Sequence, residues 1–360
     1  MKICFLIADM SGKGGTERVT AILANGLAGR QNDVDVISCR NGSVSYFKLD
    51  ERVDICSLQA EAIKSPLFRK LSNYRKIWKI VCNRKYDVVI AVDIYLFLYI
   101  FPLQIMGKCK CVAWEHFNYY ISSAKSTKIA RKLAVRYADQ VVVLGKNDLE
   151  NYQRNYKKAK NITYIYNPVN FEKTVNKNIY LHRIIAAGRL TSQKGFDLLL
   201  EAWNLIEKSN RESDWILDIF GEGKDRKRLE DYIRQQGLKR VHLKGYADDI
   251  REEYLNSSIY VLASRYEGFV LVLIEAFSCG LPCVSFDCKE GPSEIIADGV
   301  NGFLVETGNV NQLADKIQQL MENEELRKRF SENTFMDLDR FNKEKVLDEW
   351  ICLLNKIIND

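Results

Sequence analysis

Short apolar runs recur along this chain, separated by stretches whose apolar residues repeat at helical spacing. Ile3–Ala8, Val34–Cys39, Val88–Val92, Cys111–Trp114 and Val141–Leu144 read as strands. Runs without polar alternation fit strands covered on both faces, as in a parallel sheet. Between them, Glu17–Gly29 carries Val19, Ile22, Leu23 and Leu27 on one side, and Thr127–Tyr137 is a further helical stretch. This strand–helix alternation predicts a doubly wound α/β sheet.

The pattern breaks at Asn167-Pro168-Val169 and stays polar through Asn178. It then restarts. Arg183–Ala187, Trp215–Phe220, Val241–Lys244, Ile259–Ala263 and Cys283–Phe286 are strand-like. Phe196–Ile206, Asp225–Gln236, Leu271–Cys279, Val310–Glu322 and Asn323–Phe335 are helix-like. A chain of 360 residues exceeds the ~250–300 that one core serves well. Two domains are therefore expected, 1–166 and 167–340, with a cleft between them and a ligand at the carboxyl ends of the strands. A last helix near Lys343–Ile358 lines up Val346, Leu347, Trp350, Leu353, Leu354 and Ile357. Lying at the chain end, residues 341–360 are expected to pack back on the first domain.

Charge separates the halves. Through residue 165 there are 27 Lys and Arg against 14 Asp and Glu, a net of +13; the remainder has 26 against 33, a net of −7. A basic first half points to an anionic partner. The opening apolar run is too short for a signal peptide, and Tyr95–Met106 is about half the ~20 residues of a spanning helix and holds Pro102. It reads as a buried helix, and the protein is expected in the cytoplasm. The ten cysteines include no CxxC pair and read as reduced core thiols, with Cys109 and Cys111 expected on opposite strand faces. The segment 64–79 mixes Lys64, Arg69, Lys70, Arg75, Lys76 and Lys79 with Leu67, Phe68, Leu71, Tyr74, Ile77 and Trp78. It fits an ordinary amphipathic surface helix, or one resting on the anionic inner face of the cell membrane.

Three segments carry the chemistry. Asp9 to Arg18 holds Gly12, Gly14 and Gly15 between a strand and a helix, and lacks both GxGxxG and the Walker pattern. Its glycines serve either a turn with positive φ or close approach of a ligand to a helix N-terminus. Gly188-Arg189-Leu190-Thr191-Ser192-Gln193-Lys194-Gly195 puts two cations before a helix, where one anion could meet both. Glu267-Gly268-Phe269-Val270-Leu271-Val272-Leu273-Ile274-Glu275 sets two carboxylates eight apart, flanking a loop and a helix start. Backbone N–H groups from Gly268 to Val272 would face a phosphate, and the carboxylates would accept from sugar hydroxyls. No DxD-like pair stands in a metal loop, so neither a metal nor another cofactor is expected.

In order and spacing these segments resemble glycosyltransferase family 4, of GT-B fold, across essentially the whole chain. Trp114-Glu115-His116-Phe117-Asn118-Tyr119 resembles members that build bacterial surface polysaccharides such as capsule, O-antigen or exopolysaccharide. The resemblance implies two Rossmann-like domains and a retaining hexosyl or N-acetylhexosaminyl transfer from a nucleotide-sugar, UDP by family habit, to a glycan or polyprenyl-linked acceptor. It implies that Arg189 and Lys194 hold the pyrophosphate, that Glu275 binds ribose hydroxyls and Glu267 sugar hydroxyls, and that His116 faces the reaction centre. Gly14 and Gly15 would line the acceptor side near the phosphates, and the strand end at Gly245–Tyr246 would hold the base. Val270 stands where the family often has a second glycine.

Other classes remain to be weighed. A phosphorylase or epimerase on the same fold lacks supporting context. A non-catalytic GT-B scaffold that binds nucleic acid or membrane would use the basic half, but no nucleic-acid module is recognisable. Nucleic acid is therefore not expected among the partners.

Overall fold

Ile3 to Ile7 are completely buried, as a run without polar alternation requires when both sheet faces are covered. They form the middle of β1 (Lys2–Asp9), an interior strand of a seven-stranded parallel sheet. In chain order the others are β2 (Asp33–Arg40), β3 (Val53–Ser57), β4 (Val88–Val92), β5 (Lys110–Trp114), β6 (Gln140–Val143) and β7 (Ile162–Tyr164). Their order in space is β3-β2-β1-β4-β5-β6-β7. The winding reverses between β1 and β4, and such a switch point opens a crevice at the strands' carboxyl ends.

A computed structural model describes residues 1–40, 44–58, 65–120, 124–209, 213–289 and 291–360. It divides into two units, Met1–Asn170 with Arg340–Asp360, and Phe171–Asp339. The last helix, Lys343–Asn359, thus belongs with the first sheet. It docks on the Gly15–Gly29 helix so closely that a Cβ on Gly26 would lie 2.4 Å from Leu347 Cδ1. Trp350 is fully buried, with its ring centroid 4.9 Å from that of Trp114.

The second unit repeats the scheme with six parallel strands: β8 (Arg183–Ala187), β9 (Ile216–Phe220), β10 (Val241–Gly245), β11 (Ile259–Leu262), β12 (Cys283–Phe286) and β13 (Gly302–Val305). The spatial order is β10-β9-β8-β11-β12-β13, so the winding reverses between β8 and β11. The Phe196–Ser209 helix presses Phe196, Leu199, Leu200 and Trp203 into the core on one face of this sheet.

Several elements escape a reading by periodicity. The strands β3, β7 and β13 are short, and the helices Lys146–Asn155 and Ile250–Leu255 carry few apolar residues. One expectation is corrected. Cys109 and Cys111 do not diverge; their sulfurs are 3.8 Å apart, since residues two apart in extended chain share a face. All ten cysteines are free thiols. The basic segment forms the helix Pro66–Arg84, which buries Ile77 and Val81 and leaves Phe68 and Leu71 exposed; Lys64 lies outside the described residues. Among the described residues no helix is long and apolar enough to cross a membrane.

Candidate active site

The loop after β8 and the loop after β11 run side by side at the switch point of the second sheet. Arg265 N–H donates to the Gln193 carbonyl (2.8 Å), Arg265 Nη1 to the Ser192 carbonyl (2.7 Å), and Gln193 Nε2 to the Tyr266 carbonyl (3.2 Å). Arg265 also grips Asp197 with both ends of its guanidinium, at 2.8 and 2.9 Å. At Gly195 the backbone has φ +62°, and a Cβ there would stand 1.9 Å from the Ala263 carbonyl oxygen. Only glycine fits both the conformation and the contact.

This lacing sets Lys194 Nζ 2.6 Å from Glu267 Oε1, with the two side chains 18% and 7% exposed. Arg189 is exposed one residue after Gly188, on the same loop. Glu267 precedes the Leu271–Ser278 helix and Glu275 sits within it, half-buried. No side chain caps that helix start. The expected row of free N–H groups is shorter than foreseen: Leu271 N–H donates to the Phe269 carbonyl (3.2 Å) and Leu273 N–H to that of Val270 (3.1 Å). Val270 is buried, and a Cβ on Gly291 would lie 2.7 Å from its Cγ2, so its side chain fills the space between two loops. Gly268, Phe269 and Val272 are only partly buried, and Tyr246, just beyond β10, is 73% exposed.

In the first unit the glycine loop turns out not to need positive φ. Gly14, the helix N-cap, is extended at φ −91°, ψ 173°. A Cβ on Gly12 or Gly14 would meet a Glu17 carboxylate oxygen at 2.6 or 2.5 Å, a flexible side-chain end that can turn aside. The Glu17 side chain thus folds back over the loop, beside the exposed Gly15.

His116 follows the carboxyl end of β5, buried against Trp114 with ring centroids 4.2 Å apart. Burial drives its pKa down to about 3, so the imidazole is neutral. Its Nε2 has no hydrogen-bond partner among the described residues. A buried nitrogen left so costs about 1–3 kcal/mol, which a ligand hydroxyl would relieve. Glu115 next to it accepts from Arg131 Nε and from the Tyr152 hydroxyl, both at 2.8 Å, and burial pushes it up to about 7. Arg131 Nη2 in turn donates to the Asn118 carbonyl at 3.1 Å, fixing the segment that follows His116.

Residues 13–173 match the model for Glycosyltransferase Family 4, and residues 171–336 that for Glycosyl transferases group 1. The amylovoran biosynthesis glycosyltransferase AmsD of Erwinia amylovora is 30% identical over 369 residues, 98% of this chain and 99% of the relative. The chain belongs to glycosyltransferase family 4. Another relative is the GalNAc-α-(1→4)-GalNAc-α-(1→3)-diNAcBac-PP-undecaprenol α-1,4-N-acetyl-D-galactosaminyltransferase of Campylobacter jejuni. It is 26% identical over 365 residues, 100% of this chain and 99% of the relative. The fold is likewise that of Anabaena HepE, crystallised with UDP and glucose (TM-score 0.84, 21% identity, 99% of both chains). The protein is a GT-B glycosyltransferase, built from two parallel-stranded α/β units.

The family motifs do not exhaust the site. Leu190 N–H donates to the Glu222 carbonyl (3.0 Å) and Asp225 N–H to that of Leu190 (3.1 Å), so the Gly221-Glu222-Gly223 turn supports the Arg189 loop from its other side. A G-x-G directly after β9 was the available signal. Arg265 and the Glu115–Arg131 pair had none, because each acts through a partner distant in sequence.

Proposed function

We propose that this glycosyltransferase moves a hexose or N-acetylhexosamine from a UDP-sugar, with retention, to a glycan or polyprenyl-linked acceptor during assembly of a bacterial surface polysaccharide. The Lys194–Glu267 contact carries this reading. It places a cation and a carboxylate on two interlocked loops at a switch point. One can neutralise a phosphate while the other accepts from hydroxyls of the attached sugar. The amylovoran and undecaprenol-linked relatives favour a surface polysaccharide, and the nucleotide held by HepE favours UDP.

Departure of the nucleoside diphosphate builds charge on its outer phosphate. Arg189 and Lys194 would hold that charge, with the Leu271–Ser278 helix start adding backbone N–H donors. Lys194 has three donors, so it can keep Glu267 while it binds phosphate. Glu275 would take the ribose hydroxyls, and the backbone at Gly245–Tyr246 the base. A neutral His116 would hydrogen-bond the transferred sugar without adding positive charge. Gly14 and Gly15 would border the acceptor side. No residue is assigned as a nucleophile; attack on the same face that the leaving group departs from gives retention without a covalent intermediate. The reaction is proposed to need no metal and no nucleic acid, and to take place in the cytoplasm, with the Pro66–Arg84 helix touching the anionic inner leaflet.

The test is a panel of nucleotide-sugars followed by melting temperature, since a ligand of the native state alone must stabilise it. UDP-sugars should raise it, and turnover should survive EDTA with the anomeric configuration of the donor kept in the product. Stabilisation by GDP- or ADP-sugars alone would reject the donor assigned here. Flotation with anionic liposomes at physiological salt tests the membrane contact, and protein remaining at the bottom of the gradient would refute it.

A further inference from the structure

The final helix, Lys343–Asn359, buries Val346, Leu347, Trp350, Leu354 and Ile357 along one stripe. Four of these are aliphatic, and the fifth is an indole. Several contacts hold the helix in place without that indole. The Asn342 side chain caps it by accepting from the Glu344 N–H at 2.9 Å. Arg30 pairs with Glu344 at 2.9 Å and with Asp348, and Leu347 covers Gly26. Docking by itself therefore does not explain an aromatic ring at position 350.

The ring meets Trp114 edge to face, with centroids 4.9 Å apart and planes at 68°. Trp114 in turn meets His116, with centroids 4.2 Å apart and planes at 53°. The three rings form one unbroken series from the final helix to the residue that follows β5. The middle of the series is fixed at its backbone. The Trp114 carbonyl accepts from the Asp93 N–H, and the Glu115 N–H donates to the Val142 carbonyl, both at 2.9 Å. The end of β5 is thus pinned to β4 and β6, and only side-chain rotation remains to the indole. Neither indole Nε1 nor His116 Nε2 has a hydrogen-bond partner among the described residues. Contact between rings, rather than bonds from these nitrogens, therefore sets their tilt.

We propose that Trp350 is a positioning residue for sugar transfer: through Trp114 it holds the His116 imidazole in the orientation that meets the transferred sugar. The proposal rests on the role given to His116 above and deepens it, because it makes the final helix part of the reaction as well as of the fold. Displacing a reacting group by about 1 Å can slow a reaction by ~100-fold. Loss of a ring two contacts away from the sugar should therefore slow transfer and leave nucleotide binding intact.

Kinetics of the full chain test it, read as UDP release from UDP-glucose, UDP-galactose and their N-acetylated counterparts below the melting range of every variant. Trp350→Leu should lower kcat about tenfold and leave KM for the UDP-sugar within twofold. Trp350→Phe keeps a ring and should recover at least half of the wild-type kcat. Leu354→Ala removes buried volume from the same helix, and should lower the melting temperature while keeping kcat within twofold. In a His116→Gln background, Trp350→Leu should cost no further kcat, because the ring acts through the imidazole. Equal kcat loss in Leu354→Ala and Trp350→Leu would overturn the proposal, since helix stability would then suffice. A His116→Gln variant of unchanged kcat rejects the role given to His116, and the proposal falls with it. A His116→Gln variant that is slow, and slower still with Trp350→Leu, rejects the proposal alone. Labelling with 5-fluorotryptophan gives a readout that does not need Trp350→Leu to fold. His116→Gln should shift the fluorine resonances of both Trp114 and Trp350, the latter assigned from Trp350→Phe; a Trp350 resonance left in place overturns the series of contacts.

Discussion

Lys194 and Glu267, 73 residues apart in the chain, meet at 2.6 Å because the loops that carry them are laced together by Arg265 and Gln193. The pair is mostly shielded from water, at 18% and 7% exposure. Each member therefore depends on the other, and both are assigned to the proposed donor site.

Removing the cation strands the carboxylate. Loss of one partner of a buried pair costs about 3–5 kcal/mol, and partial exposure of Lys194 should reduce this to about 1–3. Lys194→Ala should lower the melting temperature and remove most turnover. Lys194→Ala/Glu267→Gln should recover part of the stability and none of the activity. Calorimetry and UDP-sugar turnover on both variants check this; an inactive single variant of unchanged stability would mean that the contact does not form in solution. Glu275→Ala should likewise lose most turnover while staying folded.

Glycine positions separate strain from clash. Gly237 ends the Arg226–Gln236 helix at φ +66° with open space around it, so Gly237→Ala should cost only the left-handed penalty, about 1–2 kcal/mol. Gly195 has nearly the same φ, but its added Cβ would collide with the Ala263 carbonyl. Gly195→Ala should cost more and weaken UDP binding by pushing the two loops apart. Equal melting temperatures and equal UDP affinities in the two variants would contradict the loop contact.

His116 gives a pH signature. Its folded value lies near 3, against about 6.5 for an unfolded histidine. Between these values the unfolded chain takes a proton that the folded chain refuses. The stability is thus full above about 6.5 and falls as the pH falls, by about 2 kcal/mol at pH 5. His116→Gln lacks this loss. The stability gap between wild type and variant, measured by urea denaturation, should narrow by roughly that amount from pH 7 to pH 5. A constant gap would mean that the folded imidazole is protonated. Wild-type turnover should show no limb near 6.5 arising from this residue.

The final helix is a structural part of the first unit. Trp350 is fully buried against Trp114, and truncating such a side chain typically costs about 3–5 kcal/mol. Trp350→Ala should lower the melting temperature of the first unit and expose Lys343–Asn359 to protease. Wild-type resistance to proteolysis in that variant would show that the helix is held by other contacts.

Periodicity and motif spacing were enough to read two doubly wound sheets and the family, because a βαβ chain must bury near-continuous apolar strands and its ligand loops keep their glycines and charges in order. The same spacing singled out Arg189, Lys194, Glu267, Glu275 and His116 as candidates. Tertiary structure alone decided the rest. It showed that Gly14 at the first loop is extended rather than at positive φ, and that Cys109 and Cys111 share a face. It joined Lys194 to Glu267 through Arg265, and brought Trp350 through Trp114 to His116. Local sequence sets which residues lie on one face of a helix or strand, over separations of a few residues. Contacts across loops depend on the parallel register of strands far apart in the chain, and that register exists only once the sheets have formed.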